Sequence, residues 1–236
     1  MPEYSSPHYL FHYDPDSPAE RDIRQIAAVQ EACFRYICDV LQTQPEEPIH
    51  YYLRRTPEEV GRDYGDNEPC NGFARIPGSV YAVYNDRVRC IGFHEDAHLI
   101  SERIGHPDCP AIREGLAMYF DRRWWGIHNL DWAIYYYDSG SSPDLPSLLD
   151  RTVFFSFDCS VTYPIMGAFT EWLISSFGLE RYRAFYAGRD ALEGMRRVYG
   201  KAPSELSRAF AAYLRLFSLD DAIRARIEAL LPAGQP

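Results

Sequence analysis

Residues 94–98 read His94-Glu95-Asp96-Ala97-His98, and no other stretch restricts the possible folds of this chain so strongly. On an α-helix, residues four apart lie on one face about a turn apart, so His94 and His98 can present imidazole nitrogens to one point. Glu95 is rotated about 100° from His94 and flanks that point instead of occupying it. This is the geometry a hydrolytic zinc site needs: two neutral imidazoles hold the ion, and the carboxylate takes a proton from the water that the ion activates. The plainer reading is a helix with two partly buried histidines. The chain has only seven histidines, and His8, His12, His50, His106 and His128 stand alone in the sequence with no role assigned.

A third ligand separates the two readings. In "CPAIREGLAMYFD", residues 109–121, Pro110 opens a helix, and Ile112, Leu116, Tyr119 and Phe120 supply an apolar stripe. A tight turn through "RIGHPDCP" and a second helix packed alongside would let Glu114 reach back to the metal, and Gly115 beside it allows two helices to approach closely. Alone, Glu114 reads as a solvated first-turn glutamate favoured by the helix dipole. Combined with the two histidines, it reads as the third ligand.

Around this motif the pattern predicts an α+β chain. "YLFHY" at 9–13 is a short strand. A helix follows from Glu20 to Leu41, started by Ser17-Pro18, with Ile23, Ile26, Ala27, Val29, Cys33, Ile37 and Val40 at helical spacing. "EPIHYYLRR" reads as a second strand and "TPEEVGRDYG" as a short helix capped by Thr56 with Pro57 in its first turn. A hairpin then turns around Pro77-Gly78. From Ile91 onward helices are expected over roughly 91–103, 110–125, 164–177, 179–187, 189–198, 203–217 and 219–230. The aromatic, Ser/Pro-broken region 126–162 reads as an extended loop with short pieces of structure. The whole, 1–236, is expected to be one domain with a mixed sublobe, 1–90, and a mainly helical one, 91–236, meeting at the helix that carries the pentad.

Composition narrows the partners. The net charge is −10, and Lys201 is the only lysine among 24 basic residues, so no basic stripe is offered to nucleic acid or to an anionic membrane. No run approaches the length of a membrane span. The N-terminus lacks the profile of a signal peptide, which implies a cytoplasmic chain if Met1 is the native start and an extracytoplasmic one if a leader has been removed. The six cysteines contain no C-x-x-C; Cys70 and Cys90 flank the hairpin, Cys109 and Cys159 form a conceivable distant pair, and free thiols and disulfides both remain open.

"HEDAH" followed by "REGLAMYF" resembles the gluzincin metallopeptidases, and most of the chain is similar to the bacterial proteins called peptidase-MA-like. "NGFA…SVYAVYN" is similar to their edge-strand hairpin, "TYPIMGAFTEWLISSFGLERYRAFY" to their later helix pair and "GMRRVYGKAPSELSRAFAAYLR" to their closing segment. The resemblance implies a zincin-like fold and a zinc-dependent peptidase, with His94, His98 and Glu114 as ligands and Glu95 as general base. It also suggests Tyr163, opening "YPIMGAF" just before a helix, as the donor that steadies the oxyanion, although Gly167 follows it by four residues where the family pattern has three. Tyr119 and the tyrosines at 135–137 are its rivals, with packing the expected use. The hairpin reads "NGFAR" and lacks the glutamate with which the aminopeptidase branch grips a substrate amino group. Position 118 is Met118 where thermolysin-type enzymes carry an aspartate behind a ligand histidine, leaving Asp96 or Asp121 as substitutes.

The expected activity is hydrolysis of peptide bonds in a peptide or protein substrate. An extended substrate would lie on the hairpin edge, and Trp124, Trp125, Trp132 and nearby tyrosines would form an aromatic wall. The alternatives are an inactive, zinc-stabilised binding module and a metallohydrolase acting on another amide or an ester.

Overall fold

The strand predicted at 9–13 forms, with a partner the sequence does not announce: Glu3–Ser5 (β1) pairs antiparallel with Tyr9–Tyr13 (β2). The computed structural model describes residues 1–231, and these strands open the first of two units, Met1–Arg103 and Ile104–Pro236. Helix Pro18–Leu41 (α1) starts where Ser17 and Pro18 dictate, since the Ser17 hydroxyl accepts from the Glu20 amide at 3.1 Å. Its buried stripe runs through Ile23, Ile26, Ala27, Gln30, Cys33, Phe34 and Ile37. Val29, expected on that stripe, lies on the exposed side. Strand Ile49–Arg54 (β3) and helix Pro57–Tyr64 (α2) follow, the helix closed by a capping box of Thr56 and Glu59. The hairpin is Gly72–Arg75 (β4) and Ser79–Val83 (β5).

These strands form one sheet in the order β1-β2-β3-β5-β4. The pairs β2–β3 and β3–β5 are parallel because a helix separates the members of each in sequence, whereas the tight β4–β5 turn requires antiparallel pairing. Alternation sends Tyr9, Phe11, Ile49, Tyr51, Leu53, Val80 and Ala82 to one buried face, where the Tyr9 ring meets Phe34 of α1 edge-on. On the other face the registered neighbours His12, Tyr52, Tyr81 and Phe73 stack in a row at 4.4, 4.6 and 4.8 Å. His12 also lies 3.1 Å from His50 and 3.2 Å from Glu3, so two histidines that stand alone in the sequence are partners across strands. The unit ends with helix His94–Ser101 (α3).

The second unit is mainly helical. After Pro110–Asp121 (α4), the two-residue strands Arg123–Trp124 (β6) and Ile127–His128 (β7) form a tight hairpin. Helices Asn129–Asp138 (α5), Arg151–Phe154 (α6), Cys159–Phe177 (α7), Leu179–Tyr186 (α8), Ala191–Tyr199 (α9), Pro203–Leu214 (α10) and Asp221–Leu230 (α11) complete it. The extended loop expected at 126–162 is therefore corrected. Trp132, Ala133 and Tyr136 share one buried face of α5, so the aromatic run is a helix interior, and the Ser/Pro signals belong to the stretch after it. A second correction concerns α7, which begins at Cys159 and carries Pro164 inside it. The proline cannot donate to the Ser160 carbonyl one turn back, and that carbonyl accepts from the Tyr136 hydroxyl at 3.2 Å instead.

Glycines set the closest approach in this unit. A Cβ at Gly115 of α4 would lie 2.6 Å from Thr170 Oγ1 and 2.9 Å from the Met166 carbonyl of α7, and one at Gly167 would lie 2.7 Å from Met118 Cβ. The close approach at Gly115 is thus between α4 and α7, whereas the sequence suggested it for the helices carrying the pentad and Glu114. All six cysteines are free. Among the described residues, no helix is long and apolar enough to cross a membrane.

Candidate metal centre

An eight-residue helix is marginal by itself, and α3 has no side-chain cap at Phe93, so its placement depends on what it packs against. Ala97, Leu99 and Ile100 face the core. Asp96 joins them, fully buried, with its Oδ2 accepting from Gln30 Nε2 at 2.9 Å and from the Tyr9 hydroxyl. Burial above all pushes the Asp96 carboxyl well over the usual carboxylate range, with Glu95 adding to it and the Tyr9 and Gln30 donors opposing it. Position 96 is about 200° around the helix from both 94 and 98, which removes Asp96 from the group of carboxylates able to orient a ligand histidine.

The opposite side of α3 carries the pentad's other polar residues. The His94 and His98 rings are 5.1 Å apart and nearly perpendicular, and His94, Glu95 and His98 are all half-buried. One ligand atom from each of His94, His98 and Glu114 lies within 4.8 Å of the other two. Donors bound at about 2.1 Å to a common ion stand no more than roughly 4.2 Å apart, a separation that the 4.8 Å bound includes. Two imidazole nitrogens and a carboxylate oxygen make a donor set suited to a first-row divalent metal ion.

Glu95 stays out of that group, as its rotation predicts. Its carboxylate lies over Gly72, the first residue of edge strand β4, where a Cβ would come within 3.2 Å of Glu95 Oε1. Cys70 closes the same corner by donating from Sγ to the Gly72 carbonyl at 3.1 Å, and burial raises the thiol above its ordinary range.

Tyr163 is placed differently from expectation. It falls in the second turn of α7 and not ahead of a helix, with its half-buried ring 5.6 Å from Trp124 and 6.0 Å from Phe154. Tyr119, Tyr135 and Tyr136 are core residues. The aromatic wall also contracts, because Trp132 is fully buried and donates to the Trp124 carbonyl at 3.0 Å. Trp125 remains exposed at the β6–β7 turn, with φ +49, a conformation that bulky residues seldom adopt.

Sequence reasoning passes over Gln30 and Gly72. Gln30 does leave a signal, a polar letter in the apolar stripe of α1. Gly72 leaves none, since a hairpin glycine has many uses. No protein-family model matches the chain, and comparison with curated proteins and with solved structures finds no significant match.

Proposed function

We propose that this chain is a zincin-like metallohydrolase, a zinc-dependent peptidase in which His94, His98 and Glu114 hold the metal and Glu95 is the general base. The observation that carries the reading is the convergence of one ligand atom from each of the three residues, with Glu95 next to His94 on the short helix that carries both histidines. Bound zinc supplies a Lewis-acidic centre that polarises water and a scissile carbonyl.

The chain's own residues do the remaining work. Glu95, held against Gly72, accepts a proton from water and delivers it to the departing amine nitrogen. Edge strand β4 offers main-chain hydrogen bonds to an extended peptide, which would then run past the base. Tyr163 is assigned the supporting role of hydroxyl donor to the developing oxyanion, a contribution of about 3–4 kcal/mol where such donors have been removed.

Digestion of a mixed peptide library by the zinc-loaded protein tests the reading. Glu95→Gln should abolish cleavage and leave zinc binding intact. A fully active Glu95→Gln protein would sink the mechanism.

A further inference from the structure

The back of helix α3 is held by a set of buried polar contacts. Gln30 of α1 grips the Gly92 peptide from both sides: the Gly92 amide donates to Gln30 Oε1 at 2.7 Å, and Gln30 Nε2 donates to the Gly92 carbonyl at 3.1 Å. The same Nε2 donates to Asp96 Oδ2 at 2.9 Å, so one side-chain amide uses both its hydrogens and its oxygen on the segment 92–96. The Tyr9 hydroxyl of β2 reaches Asp96 Oδ2 as well and lies 3.2 Å from the Gln30 carbonyl. Gln30, Tyr9 and Asp96 are all fully buried.

A buried glutamine costs stability unless its hydrogen bonds are met, and an apolar residue at position 30 would continue the stripe of α1 at no such cost. The contacts it makes are not spread over the core. They converge on the residue two before His94 and on the residue midway between His94 and His98. Since α3 is short and has no side-chain cap, a shift or rotation of its back face carries both imidazoles with it. The geometry points to Gln30, with Tyr9 and Asp96, as the positioning residues of the metal centre: they fix the pitch and rotation of α3 so that His94 and His98 meet one ion. This rests on the zinc reading above and extends it to residues that touch no ligand.

The test is zinc affinity by chelator competition, together with the visible absorption of the Co²⁺-substituted full-length protein, for wild type, Gln30→Met and Tyr9→Phe. Gln30→Met keeps side-chain volume and removes every contact to 92–96; Tyr9→Phe removes one hydroxyl and serves as the decisive variant if the first does not fold. Ile37→Ala, buried elsewhere on α1, is the control for lost stability alone. The expected result is zinc binding weakened by roughly tenfold to a hundredfold in Gln30→Met and less in Tyr9→Phe, an altered Co²⁺ spectrum in both, and neither change in folded Ile37→Ala. Folded variants with wild-type zinc affinity and an unchanged Co²⁺ spectrum would overturn the positioning role and leave the zinc reading standing. A wild-type protein that takes up neither Zn²⁺ nor Co²⁺ would overturn both.

Discussion

The carboxylate of Glu95 rests on the one residue of strand β4 that has no side chain: a Cβ at Gly72 would stand 3.2 Å from Glu95 Oε1 and 3.4 Å from the Tyr81 carbonyl. Backbone on one side leaves the carboxylate as the group that must yield. If Glu95 is the base of the proposed hydrolysis, Gly72→Ala is expected to displace it by a few tenths of an ångström and lower kcat roughly tenfold, because proton transfer depends steeply on placement. Zinc affinity should not change, since Glu95 is not a ligand. Steady-state kinetics beside a zinc titration would show whether the two quantities separate.

The three residues proposed as metal donors should fail one by one. Metal analysis of the purified protein is expected to give about one zinc per chain, lost or sharply reduced in His94→Ala, His98→Ala and Glu114→Ala. Zinc retained at wild-type affinity in Glu114→Ala would remove that residue from the centre. No uptake by the wild type, even on reconstitution, would reduce the pentad to a coincidence of spacing.

At Gly115 the limit is packing. A methyl group there meets Thr170 Oγ1 at 2.6 Å and the Met166 backbone at 2.9 Å, both on a long, well-buried helix. Gly115→Ala should destabilise the protein by about 1–3 kcal/mol through overpacking, despite the better helix propensity of alanine. Denaturant unfolding gives the value, and an unchanged midpoint would mean that α4 and α7 do not pack as closely as described.

Acid should weaken the first unit in two stages. Burial, joined by His50, holds the His12 imidazole below its ordinary 6.5 against the pull of Glu3. Burial works to raise Glu31, yet the His8 side chain, the Ser6 hydroxyl and the His8 amide outweigh it and hold the carboxyl below 4.5. In both cases the folded state binds its proton less readily than the unfolded chain. Each contribution is therefore present above the ordinary value and lost as pH falls through the folded one. The urea midpoint is expected to drop from pH 7 towards pH 5 through His12 and again below pH 4.5 through Glu31. His12→Phe, which preserves the ring stacked on Tyr52, should flatten the first stage. A first stage of undiminished size in that variant would assign it elsewhere.

Where helix caps and helical spacing act, the sequence alone determined the outcome. Ser17-Pro18 and Thr56-Pro57 start α1 and α2 because capping and a fixed proline φ act within a few residues. Four-residue spacing puts His94 and His98 on one face of α3, and the offset of Glu95 by one position keeps it out of the ligand group for the same reason. Tertiary structure decided what depends on partners distant in the chain. The 129–138 run is a helix because Trp132 and Tyr136 find a buried face to fill, and α7 runs through Pro164 because Tyr136 satisfies the carbonyl the proline leaves open. Asp96 is a charged letter that spacing alone leaves in solvent. Gln30 and Tyr9 bring it into the core, since hydrogen-bond partners from two other elements offset the cost of its burial.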